Sequence, residues 1–275
     1  MDTSSRQGFR LVQLTDLHLG SERDYRLADI PTFHSFTATL QWAITRLAPD
    51  HLILSGDLAA DCEDGAYRLL AEVLSAAAVP VSCTPGNHDD PARLSRYFPC
   101  HDRELMVAGW RLLLLDTQVA GSVAGNLDPA ALQLVERALG RFGAQPESMS
   151  GREGEPPPTL VFMHHPPLSV DCAWLDRHQV ANGPRLLELL ASSPAVKGVF
   201  TGHVHQSRRF PFGHFAVHTT PSTCFQFTPG SREFSIDELP PGLRVIDLYP
   251  DGRFETEVIY LQGYPFRPQS DSSGY

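Results

Sequence analysis

The ten residues Pro80–Asp89 read PVSCTPGNHD, and they hold both halves of the pattern that organises this chain. The first half, Pro80–Thr84, is short and closed by proline and glycine, which predicts a buried strand. The second half, Gly86-Asn87-His88-Asp89, puts an amide, an imidazole and a carboxylate where that strand stops. Asn and Asp are ordinary turn residues, so this run alone decides little. The arrangement returns four more times. Phe9–Thr15 leads into Asp16-Leu17-His18, His51–Ser55 into Gly56-Asp57, Thr159–Met163 into His164-His165, and Val196–Thr201 into Gly202-His203-Val204-His205. The five clusters hold six of the 12 histidines. Any one of them is what a solvated turn shows, whereas five in this order at five strand ends point to a common site. In open α/β sheets, ligand sites collect at the carboxyl ends of strands, so neighbouring strands would bring all five to one rim.

Between these strands lie helical patterns. Phe33, Phe36, Leu40, Ile44 and Leu47 fall on one face at spacings of three and four. Leu132, Val135, Leu139 and Phe142 do the same, behind an N-cap at Asp128 and a proline at the first helical position. Leu186, Leu187, Leu189 and Leu190 mark a shorter helix. A sixth strand is expected at Trp110–Asp116. Strands alternating with helices predict an α/β fold. Beyond about residue 210, Phe215–His218, Thr223–Phe227, Leu243–Leu248 and Glu255–Ile259 read as strands with no helix between them, an antiparallel sheet completing the domain. Residues 1–262 are expected to form a single domain, Gly143–Pro158 an exposed loop, and 263–275 a disordered tail.

Composition narrows the function classes. At 275 residues with 42% hydrophobic and 20% charged content, the chain can bury a core without cross-links. No apolar run reaches the ~20 residues of a membrane span. A formal charge of −10 disfavours coating a nucleic acid polymer, but not binding a small phosphate ester where local positive charge exists. The five cysteines, Cys62, Cys83, Cys100, Cys172 and Cys224, are widely spaced with no C-x-x-C pair, which suits free thiols in a reducing compartment. The N-terminus carries no signal-peptide core, so a cytoplasmic protein is expected.

The clustered residue types are those of a metal site. Asp, Asn and His offer hard oxygen and imidazole nitrogen, which suit Mn, Fe, Zn or Co. Asp16, His18, Asp57, Asn87, His164, His203 and His205 are too many for one ion. Two ions sharing a carboxylate would use them all, and a pair ~3.5–4 Å apart clamps in-line displacement at phosphorus. Glycines at 56, 86 and 202 precede donors, where tight turns would aim the next side chain.

The order D-x-H, G-D, G-N-H-D, H-H-P-P and G-H-x-H resembles the calcineurin-like metallophosphoesterases over residues from about 9 to 260. DTQVAG (Asp116–Gly121), CAWLDRHQVANG (Cys172–Gly183), TPSTCFQF (Thr220–Phe227) and FSIDELPPGLRVIDL (Phe234–Leu248) are similar to the bacterial class III 3′,5′-cyclic-AMP phosphodiesterases. The resemblance implies a four-layered αββα sandwich. It implies a first metal on Asp16, His18, Asp57 and His205, and a second on Asp57, Asn87, His164 and His203. Fe and Mn are expected, with Zn, Co or Mg as alternatives. It also implies a catalytic role for His88, which would protonate the leaving oxygen while hydroxide held between the ions attacks phosphorus, turning 3′,5′-cyclic AMP into 5′-AMP. Substrate contacts are expected from Asn87, His88 and His205, and from a loop carrying Trp174, His178 and Asn182, where an aromatic ring could stack on the purine or merely anchor the loop.

Other readings stay open. The same machinery would act on glycerophosphodiesters or 2′,3′-cyclic nucleotides, while a UDP-linked lipid needs an apolar platform that is not evident. A nuclease needs a basic groove, equally absent from the sequence pattern. A non-enzymatic scaffold conflicts with a complete donor set. The expected partner is a cyclic nucleotide or other small phosphodiester, with neither nucleic acid polymer nor membrane, in a monomer or homodimer.

Overall fold

Alternation along the first strand sets the layers. The computed structural model describes residues 8–99, 103–140 and 156–269. In chain order the elements are β1 (Phe9–Leu14), β2 (Arg26–Leu27), β3 (Ile30–Pro31), α1 (Thr32–Leu47), β4 (His51–Ser55), α2 (Asp64–Ala77), β5 (Val81–Thr84) and α3 (Pro91–Leu94). Then come β6 (Arg103–Val107), β7 (Trp110–Leu115), α4 (Pro129–Ala138), β8 (Thr159–Met163), α5 (Gly183–Ala191), β9 (Val196–Thr201), β10 (Arg208–Phe212) and β11 (Phe215–Thr219). The chain closes with β12 (Gln226–Phe227), β13 (Ile236–Asp237), β14 (Gly242–Leu248) and β15 (Phe254–Tyr260).

Two large sheets result. One has the order β15-β14-β1-β4-β5, the other β10-β11-β9-β8-β7-β6. Successive side chains on a strand point to opposite faces, and the sequence uses both. Val12, Leu14, Leu52 and Leu54 meet Phe36, Leu40, Tyr67 and Leu70 of α1 and α2. Leu11, Ile53 and Ile246 meet Leu112, Leu114, Leu160 and Phe162 between the sheets. Leu113, Val161 and Val199 pack on α4 and α5. Helices, sheet, sheet and helices make the four-layered αββα sandwich. As expected, Asp128 caps α4 by accepting from the Ala131 N–H.

Three expectations need correction. The C-terminal strands do not form a sheet of their own. β14 and β15 extend the first sheet antiparallel to β1, whereas β11 joins the second sheet parallel to β9. The run Thr223–Phe227 is extended only at Gln226–Phe227, because Ser222 and Gln226 tie it into a turn: the Gln226 carboxamide accepts from Ser222 N and donates to Ser222 O. The tail, expected to be disordered from Gly263, lies against the body as far as Gln269. Phe266 meets His34 edge-on at 5.5 Å and the Gln269 N–H donates to Ala28 O at 3.1 Å. Phe142, Cys100, most of the 143–158 loop and 270–275 fall outside the described residues. Among the described residues, no helix is long and apolar enough to cross a membrane.

The inter-sheet layer changes character near the strand ends. Gln13 follows Leu11 on the same face and is fully buried. Its amide donates to Ser55 Oγ at 2.8 Å and its carbonyl accepts from Thr220 Oγ1 at 2.7 Å. This polar layer sits directly beneath the strand-end loops and ties the two sheets together there.

Candidate metal centre

β1, β4 and β5 are parallel neighbours in one sheet, and β8 and β9 are parallel neighbours in the other. Their carboxyl ends therefore meet across the mouth of the sandwich, so the common rim spans two sheets. Asp16 and His18 follow β1, Asp57 follows β4, Asn87 and His88 follow β5, His164 follows β8, and His203 and His205 follow β9.

These side chains converge. Donor atoms of Asp16, His18 and His205 lie within 4.8 Å of one another, as do those of Asp16, Asp57 and His164, and those of His18, Asp57 and His88. His205 Nε2 is 3.3 Å from Asp16 Oδ1, and His164 Nε2 is 3.2 Å from Asp57 Oδ2. Asp16, His18, Asp57, His164, His203 and His205 are buried.

The backbone gives up regular geometry to achieve this. Asp16, His18, Asp57, His203 and His205 all have positive φ, between 46° and 67°. Left-handed backbone costs an L-residue about 1–2 kcal/mol, and such strain gathers where function over-determines the conformation. The three glycines act differently from one another. Only Gly56 has positive φ. At Gly86 a Cβ would collide with Asp57 Oδ1 and crowd His164 Nε2. The role there is close approach rather than a turn. Gly86→Ala is therefore expected to weaken metal retention and to cost about 1–3 kcal/mol of stability by overpacking. Metal content after dialysis and the urea midpoint check this, and an unaltered metal content would mean that Asp57 is free to move.

The electrostatics suit cations. Asp57 Oδ2, Asn87 Oδ1, His164 Nε2 and both ring nitrogens of His203 are buried with no hydrogen bond, a state that costs about 1–3 kcal/mol per group unless something answers it. Burial drives His18 and His203 well below the ordinary imidazole value, so both rings are neutral and ready to bind metal. Burial pushes the Asp57 carboxyl up, but the His164, His88 and His18 rings hold it well below the usual carboxylate range. Burial lowers His164, yet Asp57 outweighs it and lifts the ring to about 9. A proton there is the smallest cation able to answer Asp57, and a divalent ion would answer it better. The oxygen and imidazole donors present thus fit hard or borderline metals.

Outer partners fix the rings. His164 Nδ1 is 2.8 Å from Ser55 O, and His205 Nδ1 is 2.7 Å from Phe225 O. Each contact requires Nδ1–H, leaving Nε2 to face the site, the usual arrangement behind a ligating histidine. The carboxylates of Asp89, Asp61 and Asp116, which lie in or near the strand-end loops, make other contacts. Asp116 receives Gln118 N, and Asp61 receives Ser21 and Glu63 N–H groups. Asp89 is buried and accepts from Leu58 N, Ala59 N, Gly86 N and Tyr67 OH. It welds the loop after β4 to the loop after β5. Burial, then Asp57, lifts Asp89 to about 6. Asp89→Ala would strand those donors and is expected to cost about 1–3 kcal/mol, measured by urea unfolding.

The remaining candidates separate cleanly. His88 is half-buried, its N–H donates to Asp57 Oδ1 at 2.9 Å, and its ring meets His18 edge-on at 5.1 Å. Both nitrogens of His165 are engaged, by Thr117 Oγ1 at 2.7 Å and Val123 O at 3.1 Å. His218 is packed in β11, stacked on Phe200. The His178 ring is 6.0 Å from that of His203, and Trp174 sits edge-on against Phe227 at 4.8 Å. His178 thus flanks the donor cluster directly, and Trp174 reaches it only through Phe227 and His178. Asn182, expected among the substrate contacts, makes both of its carboxamide bonds elsewhere: it accepts from Leu127 N at 3.0 Å and donates to Leu127 O at 2.8 Å. Sequence reasoning missed Phe227, which stacks on His205 at 4.3 Å; the TPSTCFQF stretch contained it without revealing its direction.

Residues 9–207 match the family model for the calcineurin-like phosphoesterases. The chain is 33% identical over 280 residues to the 3′,5′-cyclic adenosine monophosphate phosphodiesterase CpdA of Vibrio vulnificus, covering 100% of this chain and 98% of that protein. It is 34% identical to CpdA of Escherichia coli, covering 97% of this chain and 94% of the relative. Among solved structures it is similar in fold to a dimetal phosphatase from Danio rerio, with a TM-score of 0.52 and 16% identity over 92% of this chain and 99% of that one. The matched segment carries all seven candidate donors, and the relatives agree with the chain from end to end; this chain belongs to the calcineurin-like phosphoesterase family.

Proposed function

We propose that this chain hydrolyses 3′,5′-cyclic AMP to 5′-AMP with two metal ions. The observation that carries the reading is the end-to-end match to relatives named as 3′,5′-cyclic adenosine monophosphate phosphodiesterases, which includes the loops flanking the donor cluster. Asp16, His18, Asp57 and His205 would hold one ion, and Asp57, Asn87, His164 and His203 the other, with Fe and Mn the expected metals. Such a pair supplies a water-derived nucleophile at neutral pH and a positive clamp on phosphoryl oxygens.

The chain's own residues do the rest. Asp57 would be shared between the two ions, and its Oδ1 accepts the His88 backbone N–H. Ser55 O and Phe225 O hold His164 and His205 in the tautomer that points Nε2 inward. Water adds across the P–O3′ bond: its oxygen goes to phosphorus, the bond to O3′ breaks, and a proton reaches O3′. His88 would deliver it, or hydrogen-bond a phosphoryl oxygen. His178 and Trp174 border the side on which a nucleoside would lie.

The test is kcat/KM of the Mn-loaded protein on 3′,5′-cyclic AMP, glycerophosphoethanolamine and a 2′,3′-cyclic nucleotide, with Asn87→Ala as the blank. A clear preference for 3′,5′-cyclic AMP, lost in the blank, is expected. Equal or better rates on the other diesters would keep the metal chemistry and overturn the substrate. Trp174→Ala is the companion variant: a raised KM for cyclic AMP supports stacking, and an unchanged KM leaves Trp174 as an anchor against Phe227.

A further inference from the structure

The inter-sheet apolar core ends at the edge where β10 and β11 face β14 and β15. The sheets part there around a cleft of about 590 Å³. Arg244 stands at its inner end, 4% exposed. Its Nε donates to Thr220 Oγ1 at 3.1 Å, Nη1 to Thr256 Oγ1 at 3.1 Å and Nη2 to Thr219 O at 2.8 Å. A guanidinium carries five N–H donors, so one on each terminal nitrogen is left over. All three acceptors are neutral. They satisfy hydrogen bonds but not the charge, whose burial is costly without a counter-ion.

The contrast within the molecule is direct. Arg111, the other deeply buried arginine, closes on Glu104 at 2.6 Å. Among the described residues, no carboxylate lies within ion-pair distance of Arg244, Arg209 or Lys197, and all three line this cleft. Arg208, also at the rim, is paired with Asp171. Arg209 is register-paired with His218 across β10 and β11, which puts both on the cleft side. Burial, then Arg244 and Arg209, hold His218 down to about 3. Glu257, exposed on β15, is the one carboxylate among the lining residues. Phe254 and Ala216 give the cleft an apolar wall. None of its lining residues belongs to the donor cluster. In a chain of net charge −10, such a place attracts one kind of small ligand.

We propose that this cleft is an anion site that takes a small phosphoryl compound with an apolar face, its oxygens on Arg244, Arg209 and Lys197 and its apolar part against Phe254 and Ala216. A guanidinium fork suits bidentate phosphoryl recognition, and the volume is that of a small-molecule pocket. The inference is independent of the substrate assigned to the metal site.

Histidine-labelled full-length protein, loaded with diamagnetic zinc, is titrated with inorganic phosphate and with phenylphosphonate, which cannot be hydrolysed to phosphate and phenol. The His214 and His218 ring resonances report this cleft, because both rings line it. Phenylphosphonate is expected to shift them saturably at one equivalent and to bind about tenfold more tightly than phosphate, reflecting the apolar wall. Lys197→Gln with Arg209→Gln, both outside the core, should weaken binding about tenfold or more while kcat and the melting temperature stay unchanged. Shifts confined to the donor-cluster histidines, or an affinity untouched by the double variant, would overturn the proposal and leave Arg244 as an architectural tie. Equal affinities for the two probes would overturn the assigned apolar contact.

Discussion

Asp57→Asn is expected to abolish phosphodiesterase activity and to lower metal content while leaving the fold intact. The substitution keeps size and shape. It also keeps one oxygen to accept the His88 N–H, which Asp57 Oδ1 now does at 2.9 Å. What it removes is the charge and the second oxygen. Asp57 Oδ2 has no hydrogen bond and faces His164 Nε2 at 3.2 Å. An amide NH2 placed there would point hydrogens at the position where a cation should sit. Asp16 and Asp57 are the two carboxylates in the cluster, so the variant loses half of its negative charge. Metal coordination lowers the pKa of bound water from 15.7 to about 7, so losing the site should cost about 10⁴-fold or more in kcat/KM. Elemental analysis, a thermal melt and kcat/KM with metal in excess are the measurements. Full metal occupancy with kcat/KM within about tenfold of the parent would show that Asp57 is not shared between ions.

The reason this residue is so exposed to substitution is visible in the loops. Short strands with apolar residues on both faces were legible in the sequence: Thr159–Met163 and Val196–Thr201 begin and end where expected, since nothing but a buried strand needs such runs. The clustering at their ends was legible for the same reason. Polar residues of metal-binding type directly after a buried strand have little structural cause to recur.

What was not legible depends on long-range partners. α2 does not stand out in the sequence although Ala66, Leu70 and Leu74 recur at spacing four, because charged residues and the adjoining Asp-rich loop interrupt the run. The division of β11 and β14 between two sheets follows from which edge was vacant, a tertiary fact. Asn182 looked free to reach a base, but the vacancy it fills is at Leu127, 55 residues away. Carbonyl acceptors such as Ser55 O and Phe225 O leave no trace in side-chain identity at all. The left-handed backbone at His203 and His205 was equally hidden, since histidine does not announce positive φ as glycine does.

His88→Ala carries the second large effect, and its logic differs from that of Asp57. His88 is a half-buried imidazole beside a cluster whose carboxylates and other histidines are buried. Its main chain is fixed by Asp57, and its ring stands edge-on to His18. Truncation at Cβ leaves the backbone N–H to Asp57 untouched, so metal content and the melting temperature should hold. Positioned proton transfer is worth about 10²–10⁴-fold, and kcat on 3′,5′-cyclic AMP should fall by that factor. KM should move far less, because the loss is in the transition state rather than in binding. The leaving group then separates the two roles open to the ring. An aryl phosphodiester departs as a stabilised phenolate and needs little protonation, so a proton donor is worth about tenfold or less there. A hydrogen bond to a phosphoryl oxygen would cost the same with either substrate. A large loss on the cyclic nucleotide beside a small one on the aryl diester identifies His88 as the acid. Equal losses assign it to the phosphoryl oxygen, and loss of metal from the variant removes it from the chemistry altogether.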